Sequence, residues 1–195
     1  MNQIQLLPIK PKQKRSLERY EKILDAVEEI LNIKNSDITM IEIAKISGLK
    51  RSSLYKYFPS IESIYIGLTE RHLHKFSALL SQNIKTGLSS DIFWYLGIFI
   101  DVFSIYLGNN KSLVISLKKC DSYDRNVQTL NTSSFATELI KLLNKKNLNF
   151  IEDKVSFTAK ISIGVLIDEF MNKGHLKPKN ISETKKASYS YLSTP

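Results

Sequence analysis

Residues 39–58 read TMIEIAKISGLKRSSLYKYF. The stretch divides into two short helices around a glycine. Thr39 followed by Glu42 is a capping box, in which each side chain satisfies a free backbone N–H at a helix start. Ile43, Ala44 and Ile46 supply the apolar side of the first helix. Gly48 lies four residues beyond Ala44. Two helices that cross steeply need a small residue at their contact, and the turn between them favours one that accepts positive φ. Leu49 is expected to anchor that turn in the core.

The second helix is predicted over Arg51–Tyr57, with Leu54 and Phe58 inward and Arg51, Ser52, Ser53 and Lys56 outward. It carries no acidic residue. Tyr55 and Tyr57 are expected to pack at the edge and offer their hydroxyls to phosphate. A short helix rich in cations and hydroxyls, set on a small apolar unit, suits the major groove of DNA. Pro59 stops this helix, and Ser60 caps the next one, with Glu62 in its first turn.

Upstream, a helix over Ser16–Asn32 is predicted from the apolar stripe Leu17, Tyr20, Ile23, Leu24, Val27, Ile30 and Leu31. Lys34-Asn35-Ser36-Asp37 reads as a turn. Residues 1–15 hold Pro8, Pro11, Lys10, Lys12, Lys14 and Arg15 and no acid. The prolines argue against a stable helix there. Two readings stand: a solvated tail, or a flexible basic arm that gains order on phosphates or in a minor groove.

Composition narrows the class. The chain has 195 residues, enough for one large domain or two small ones. With only 7 glycines and 5 prolines, the frequent tight turns of an all-β fold are disfavoured. Apolar residues recur at helical spacing, which predicts an all-α chain. The net charge of +9 suits a polyanionic partner, although Lys-rich proteomes yield equally basic chains without one. The single cysteine, Cys120, excludes an internal disulfide, and there is no Cys/His cluster for zinc. The N-terminus lacks an apolar signal core. The most apolar region, Ile92–Leu107, is interrupted by Asp101 and is too short for a bilayer span of roughly 20 residues. A cytoplasmic protein with no membrane partner is therefore expected.

With ILDAVEEIL at 23–31 upstream and SIESIYIGL at 60–68 downstream, the stretch resembles the N-terminal DNA-binding domain of the TetR family of bacterial transcriptional regulators. The resemblance covers residues 16–68 and is most specific at Thr39, Ile43-Ala44, Gly48 and Leu54-Tyr55-x-x-Phe58. It implies an all-α fold in which the arm (1–15) precedes a three-helix helix-turn-helix DNA-binding domain (16–68) and a helical-bundle body for ligand binding and dimerisation (69–195). It further implies a homodimer held by the last two helices on a palindromic operator, with repression relieved by a small-molecule effector.

The resemblance carries roles over residue by residue. Thr39 becomes a phosphate-contact candidate. Arg51, Ser52 and Ser53 become readers of base edges, with Lys50 at the rim. Tyr55, Lys56 and Tyr57 would position the helix on the backbone. An ordinary solvated face is the plain alternative for these residues. Three positions depart from the family pattern: Lys34 replaces a turn glycine, whose positive φ Asn35 could take instead. Ile61 replaces a lysine near the start of helix 4, and Tyr57 replaces a histidine.

Helix 4 is expected to run to Lys85, ended by Thr86-Gly87, with Ser90-Asp91 capping the next helix. The helix over Ile92–Leu107 is apolar all round, so it is expected to be buried. Its Trp94, Phe99, Phe103 and Tyr106 either line a ligand pocket or pack as plain core. Asp101 either meets a cationic ligand there or pairs with a neighbouring lysine or solvent. A short helix over Lys111–Lys119, a loop-like run at 120–133 and a helix over Thr132–Lys146 follow. Glu152–Asn172 carries Val155, Ala159, Ile163, Leu166, Ile167 and Phe170 on one stripe, which either pairs two subunits or packs into its own core. Gly174 and Pro178 end it, and Ser182–Leu192 forms the last helix.

No catalytic residue, cofactor or metal site is expected. Ser53-x-x-Lys56 and Ser116-x-x-Lys119 match an acylating-enzyme pattern but lack its companion motifs. His72 and His74, two apart, diverge on a helix. Three function classes remain: a DNA-binding regulator with a ligand-sensing body, a DNA-binding protein whose body is a protein-interaction module, and a helical carrier of apolar ligands that does not bind DNA.

Overall fold

The structure, a computed structural model, describes the backbone of residues 7–33, 37–84, 89, 91–123 and 125–194, and side chains throughout except at 121–132. Lys34, Asn35, Ser36, Lys85, Thr86, Gly87 and Ser90 lie outside the described residues, so the expected turns and helix end there are not seen. Among the described residues there are nine helices and no strand. They are α1 (Lys14–Ile33), α2 (Met40–Ser47), α3 (Arg51–Tyr57), α4 (Ile61–Ile84), α5 (Ile92–Asn109), α6 (Lys111–Tyr123), α7 (Arg125–Lys145), α8 (Glu152–Lys173) and α9 (Pro178–Ser193).

The chain divides into two compact units, Met1–Arg71 with Lys111–Val127, and His72–Asn110 with Gln128–Pro195. In the first, the head, α1 buries Tyr20, Ile23, Leu24, Val27, Ile30 and Leu31 as its periodicity predicts, while Leu17 stays 41% exposed because the core begins at Tyr20. On α2 the inward row is Met40, Ile43 and Ser47, at spacings of three and four. Ile46 falls off that row and is 41% exposed, which corrects its expected place on the apolar side.

α6 belongs to the head. Cys120 is buried in the same core as α1 and α3, and Ile115 packs against it. Thr69 Oγ1 donates to Ser116 Oγ at 3.1 Å, and Lys119 pairs with Asp37. The head is thus larger than residues 16–68. The polar run 120–133, expected to be loop-like, is helical on both sides of residue 124. It contains neither glycine nor proline, and polarity alone does not break a helix.

The second unit, the body, is built on aromatic packing. Phe76 meets Phe99, Phe103 and Phe135 at ring-centroid distances of 5.7, 5.6 and 5.4 Å. Phe103 and Phe135 meet edge-on at 5.5 Å. By length and composition, the 18-residue α5 is apolar enough to cross a membrane, so length is not what argues against a span. Its burial beside α8 and α9 is the physical point: Tyr95, Leu96, Phe99, Ile100, Phe103 and Leu107 are all within 1% of full burial.

Gly174 closes α8 in the left-handed conformation at φ 74, whereas Pro178, expected as a stop, is the first residue of α9. Proline's fixed φ and missing N–H suit that first position. Val155, Ala159, Ile163 and Leu166 pack inside the body, so the sequence stripe is a core stripe. The outer face of α8 instead exposes Phe157 (50%), Ile161 (48%) and Val165 (47%), with Tyr191 of α9 at 42%.

Phe103 is fully buried among three other rings, so Phe103→Ala is expected to remove about 3–5 kcal/mol of stability, read as a lowered midpoint in urea denaturation.

Candidate nucleic-acid interface

Thr39 opens α2 with both halves of its capping box in place. Glu42 N–H donates to Thr39 Oγ1 at 3.2 Å, and Thr39 N–H donates to Glu42 Oε2 at 3.0 Å. Gly48 ends α2 at φ 64, and the N–H of Leu49 returns to the carbonyl of Ala44 at 3.2 Å. Space is not what requires glycine there, since the nearest atom to an added Cβ would be Lys22 Nζ at 3.9 Å. The left-handed φ is the requirement.

α3 then starts at Arg51 and is seated by Leu54 and Phe58, both at 0% exposure. Its outer face presents Lys50, Arg51, Ser52, Tyr55 and Lys56, all exposed, with Ser53 half-buried. Arg51 Nη2 reaches the Tyr55 hydroxyl at 3.4 Å, four residues along. Thr39 is exposed at the start of the neighbouring helix. The face therefore holds three cations and no carboxylate, and Glu42 nearby is engaged in its cap.

Tyr57 does not sit at the edge. It is 3% exposed, its ring meeting Tyr20 edge-on at 6.3 Å. That corrects its expected role as a phosphate donor: three residues after Leu54, it lies on the buried side of a seven-residue helix. At the start of α4, Ser60 and Ser63 cap each other, Ser63 N–H donating to Ser60 Oγ and Ser60 N–H to Ser63 Oγ, each at 3.2 Å.

Arg71, not anticipated from sequence, ties α4 to α1. Its Nη1 lies 2.6 Å from Asp25 Oδ1 and 3.4 Å from Glu21 Oε2, and its Nη2 lies 2.9 Å from Glu28 Oε2. Burial works against its charge, but Glu28 and Asp25 outweigh burial and hold the guanidinium pKa above its ordinary value. The signal was available: acids at 21, 25 and 28 form a helical row that calls for a cation.

The residues considered for a ligand pocket have other surroundings. Phe99 and Phe103 are fully buried in the ring cluster, and Tyr106 is 7% exposed with its hydroxyl 2.9 Å from His72 Nδ1. Trp94 is half-buried against Tyr95. Asp101 is exposed and pairs with Lys185 at 2.6 Å, which corrects its place in a pocket. A cavity of about 890 Å³ is an open groove between α8 and α9 bordered by Ile161, Gly164, Val165, Ala187 and Tyr191. Among the described residues no group of three or more His, Cys, Asp or Glu side chains could hold a metal ion.

The chain superposes on a TetR-family transcriptional regulator from Streptomyces coelicolor with a TM-score of 0.72 at 15% identity, covering 91% of this chain and 97% of that one. The chain has the TetR-family fold. A TetR transcriptional regulator from Rhodococcus sp. RHA1 gives 0.68 at 16% identity, over 94% of this chain and 99% of that one. The multidrug binding protein EbrR complexed with imidazole gives 0.67 at 11% identity, over 95% and 98%. No family model and no curated protein matches the sequence. In this TetR-like fold, α2 and α3 form the helix-turn-helix pair.

Because only backbone conformation demands glycine at 48, Gly48→Ala is expected to cost about 1–2 kcal/mol and Gly48→Asn less. Thermal denaturation followed by circular dichroism ranks the two.

Proposed function

We propose that this chain is a DNA-binding transcriptional regulator whose recognition helix is α3. The observation that carries the reading is the outer face of α3, cationic, hydroxyl-bearing and free of acids, on a helix pair of TetR-like fold whose first helix is capped. Arg51 is assigned to a base edge, where its planar fork matches the paired acceptors of guanine. Ser52 and Ser53 are assigned to adjacent base edges, with Lys50 at the rim. Thr39, Tyr55 and Lys56 are assigned to phosphates, which position the helix without reading sequence. The reading assigns no catalytic residue.

The active species in this reading is a cytoplasmic homodimer on a palindromic operator. Phe157, Ile161, Val165 and Tyr191 form an exposed apolar face across α8 and α9, and a two-fold pairing of such faces is the common way to bury it. A small-molecule effector bound by the body would release the operator by favouring a dimer spacing that does not fit it. The alternative, a body that binds another protein, draws support from the position of the 890 Å³ groove. It is an open face of α8 and α9, away from the aromatic cluster of α5.

A duplex selected by the protein from a random-sequence pool tests the reading. Binding should weaken steeply with salt. Arg51→Ala should relax base preference at one position, by about 1–3 kcal/mol of discrimination. Lys56→Ala should weaken all sequences alike and flatten the salt slope by about one unit. An unchanged base preference and an unchanged slope would reject these roles.

For the dimer, Val165→Glu should convert the protein to a monomer in sedimentation equilibrium and lose binding to the palindromic duplex. A dimeric variant with wild-type binding would refute the α8–α9 assignment.

A further inference from the structure

α3 is weakly capped at both ends. It has seven residues, Lys50 gives it no side-chain cap, and Phe58 leaves it in an extended rather than left-handed conformation. A helix end leaves its last carbonyls without partners inside the helix, and these must find donors elsewhere. The Tyr57 carbonyl finds one on the N-terminal arm: Ile9 N–H donates to it at 2.8 Å. The next residue, Lys10, pairs with Glu70 of α4 at 2.8 Å. Two adjacent residues of the arm are thus fastened to two different elements of the head. Pro8 and Pro11 flank them and restrict the backbone, so little freedom is lost in holding this shape.

At Ile9 and Lys10 this arrangement differs from both the solvated tail and the flexible basic arm that composition allows. The charge of Lys10 is already met by Glu70, and a lysine held by a carboxylate displaces few counterions from DNA. We propose that Ile9 and Lys10 are positioning residues that set the orientation of α3, and that they do not themselves contact DNA. The inference rests on α3 being the recognition helix. Of these two contacts the Ile9–Tyr57 backbone bond is the stronger restraint, because an ion pair that leaves Lys10 55% and Glu70 34% exposed holds only weakly. A tilt of α3 would move Arg51 off its base edge while leaving its charge near the phosphates. The clip therefore acts on sequence discrimination more than on general affinity.

The test measures affinity across a salt series for a duplex selected by the wild-type chain and for a scrambled duplex. Ile9→Pro removes the donor and should weaken selected-duplex binding roughly fivefold, with scrambled-duplex affinity and salt slope unchanged. Ile9→Ala keeps the N–H and should match wild type. Glu70→Gln should also weaken the selected duplex alone. The opposite sign for Glu70→Gln, tighter binding to both duplexes, would mean that Lys10 had been released onto phosphate and would overturn the proposal. So would a loss of about one unit of salt slope in Lys10→Met. Should Ile9→Pro fail to fold by circular dichroism, the sign of the Glu70→Gln effect decides alone. Failure of the wild-type chain itself to select any duplex would instead refute the DNA-binding reading, and the clip with it.

Discussion

Phe58 enters the head stacked on Tyr20 at 4.6 Å, and the backbone of Gly67 passes directly beside both rings. A Cβ at residue 67 would come within 2.8 Å of Phe58 Cε1 and 2.8 Å of the Tyr20 hydroxyl oxygen, closer than real contacts allow. Three helices therefore meet at one point: α1 through Tyr20, the end of α3 through Phe58, and α4 through Gly67. A close-packed contact of this kind has few ways to relax, so it anchors the C-terminal end of α3 on the head. Everything assigned to the outer face of α3 depends on that seat.

The same seat explains which aromatic residues are available to a partner. Leu54, Tyr57 and Phe58 share the inward side, and Tyr55 is left outside. With so short a helix, one residue of rotation separates core from surface. Around the seat, weaker interactions add up. Arg71 gathers three carboxylates of α1, and Thr69 bonds to Ser116 of α6. Cys120 is buried in the same core. Burial, with Glu70 and Glu21 close by, pushes the Tyr20 hydroxyl pKa up, so this residue stays a neutral packing element.

Charge is sorted on the head by the same geometry. Glu21, Asp25 and Glu28 form an acidic row on α1 and are met by Arg71, and Glu42 is occupied by Thr39. Among the described residues the cations of α3 make no such ion pair, and Arg51 meets the Tyr55 hydroxyl instead. A helix face with exposed cations and no carboxylate of its own is electrostatically suited to a polyanion.

Much of the head was legible in the sequence because its signals are local. The capping box at Thr39, the left-handed Gly48 and the row from Tyr20 to Leu31 act through neighbours three or four residues apart. What sequence could not supply were choices made between distant segments. Apolar spacing marks a stripe but not its partner, so the Val155–Leu166 row was equally compatible with a subunit interface and with the core it proved to join. Polarity hid the helices on either side of residue 124, and nothing local assigns α6 to the head. The Asp101–Lys185 pair and the bond from Ile9 to Tyr57 join residues 84 and 48 positions apart, respectively. Sequence by itself determined the helical class and the cations and serines on the face of α3, but it also put Tyr57 there, which the structure buries. The tertiary structure alone decided which residues hold that face in place, because those contacts exist only once distant parts of the chain have packed.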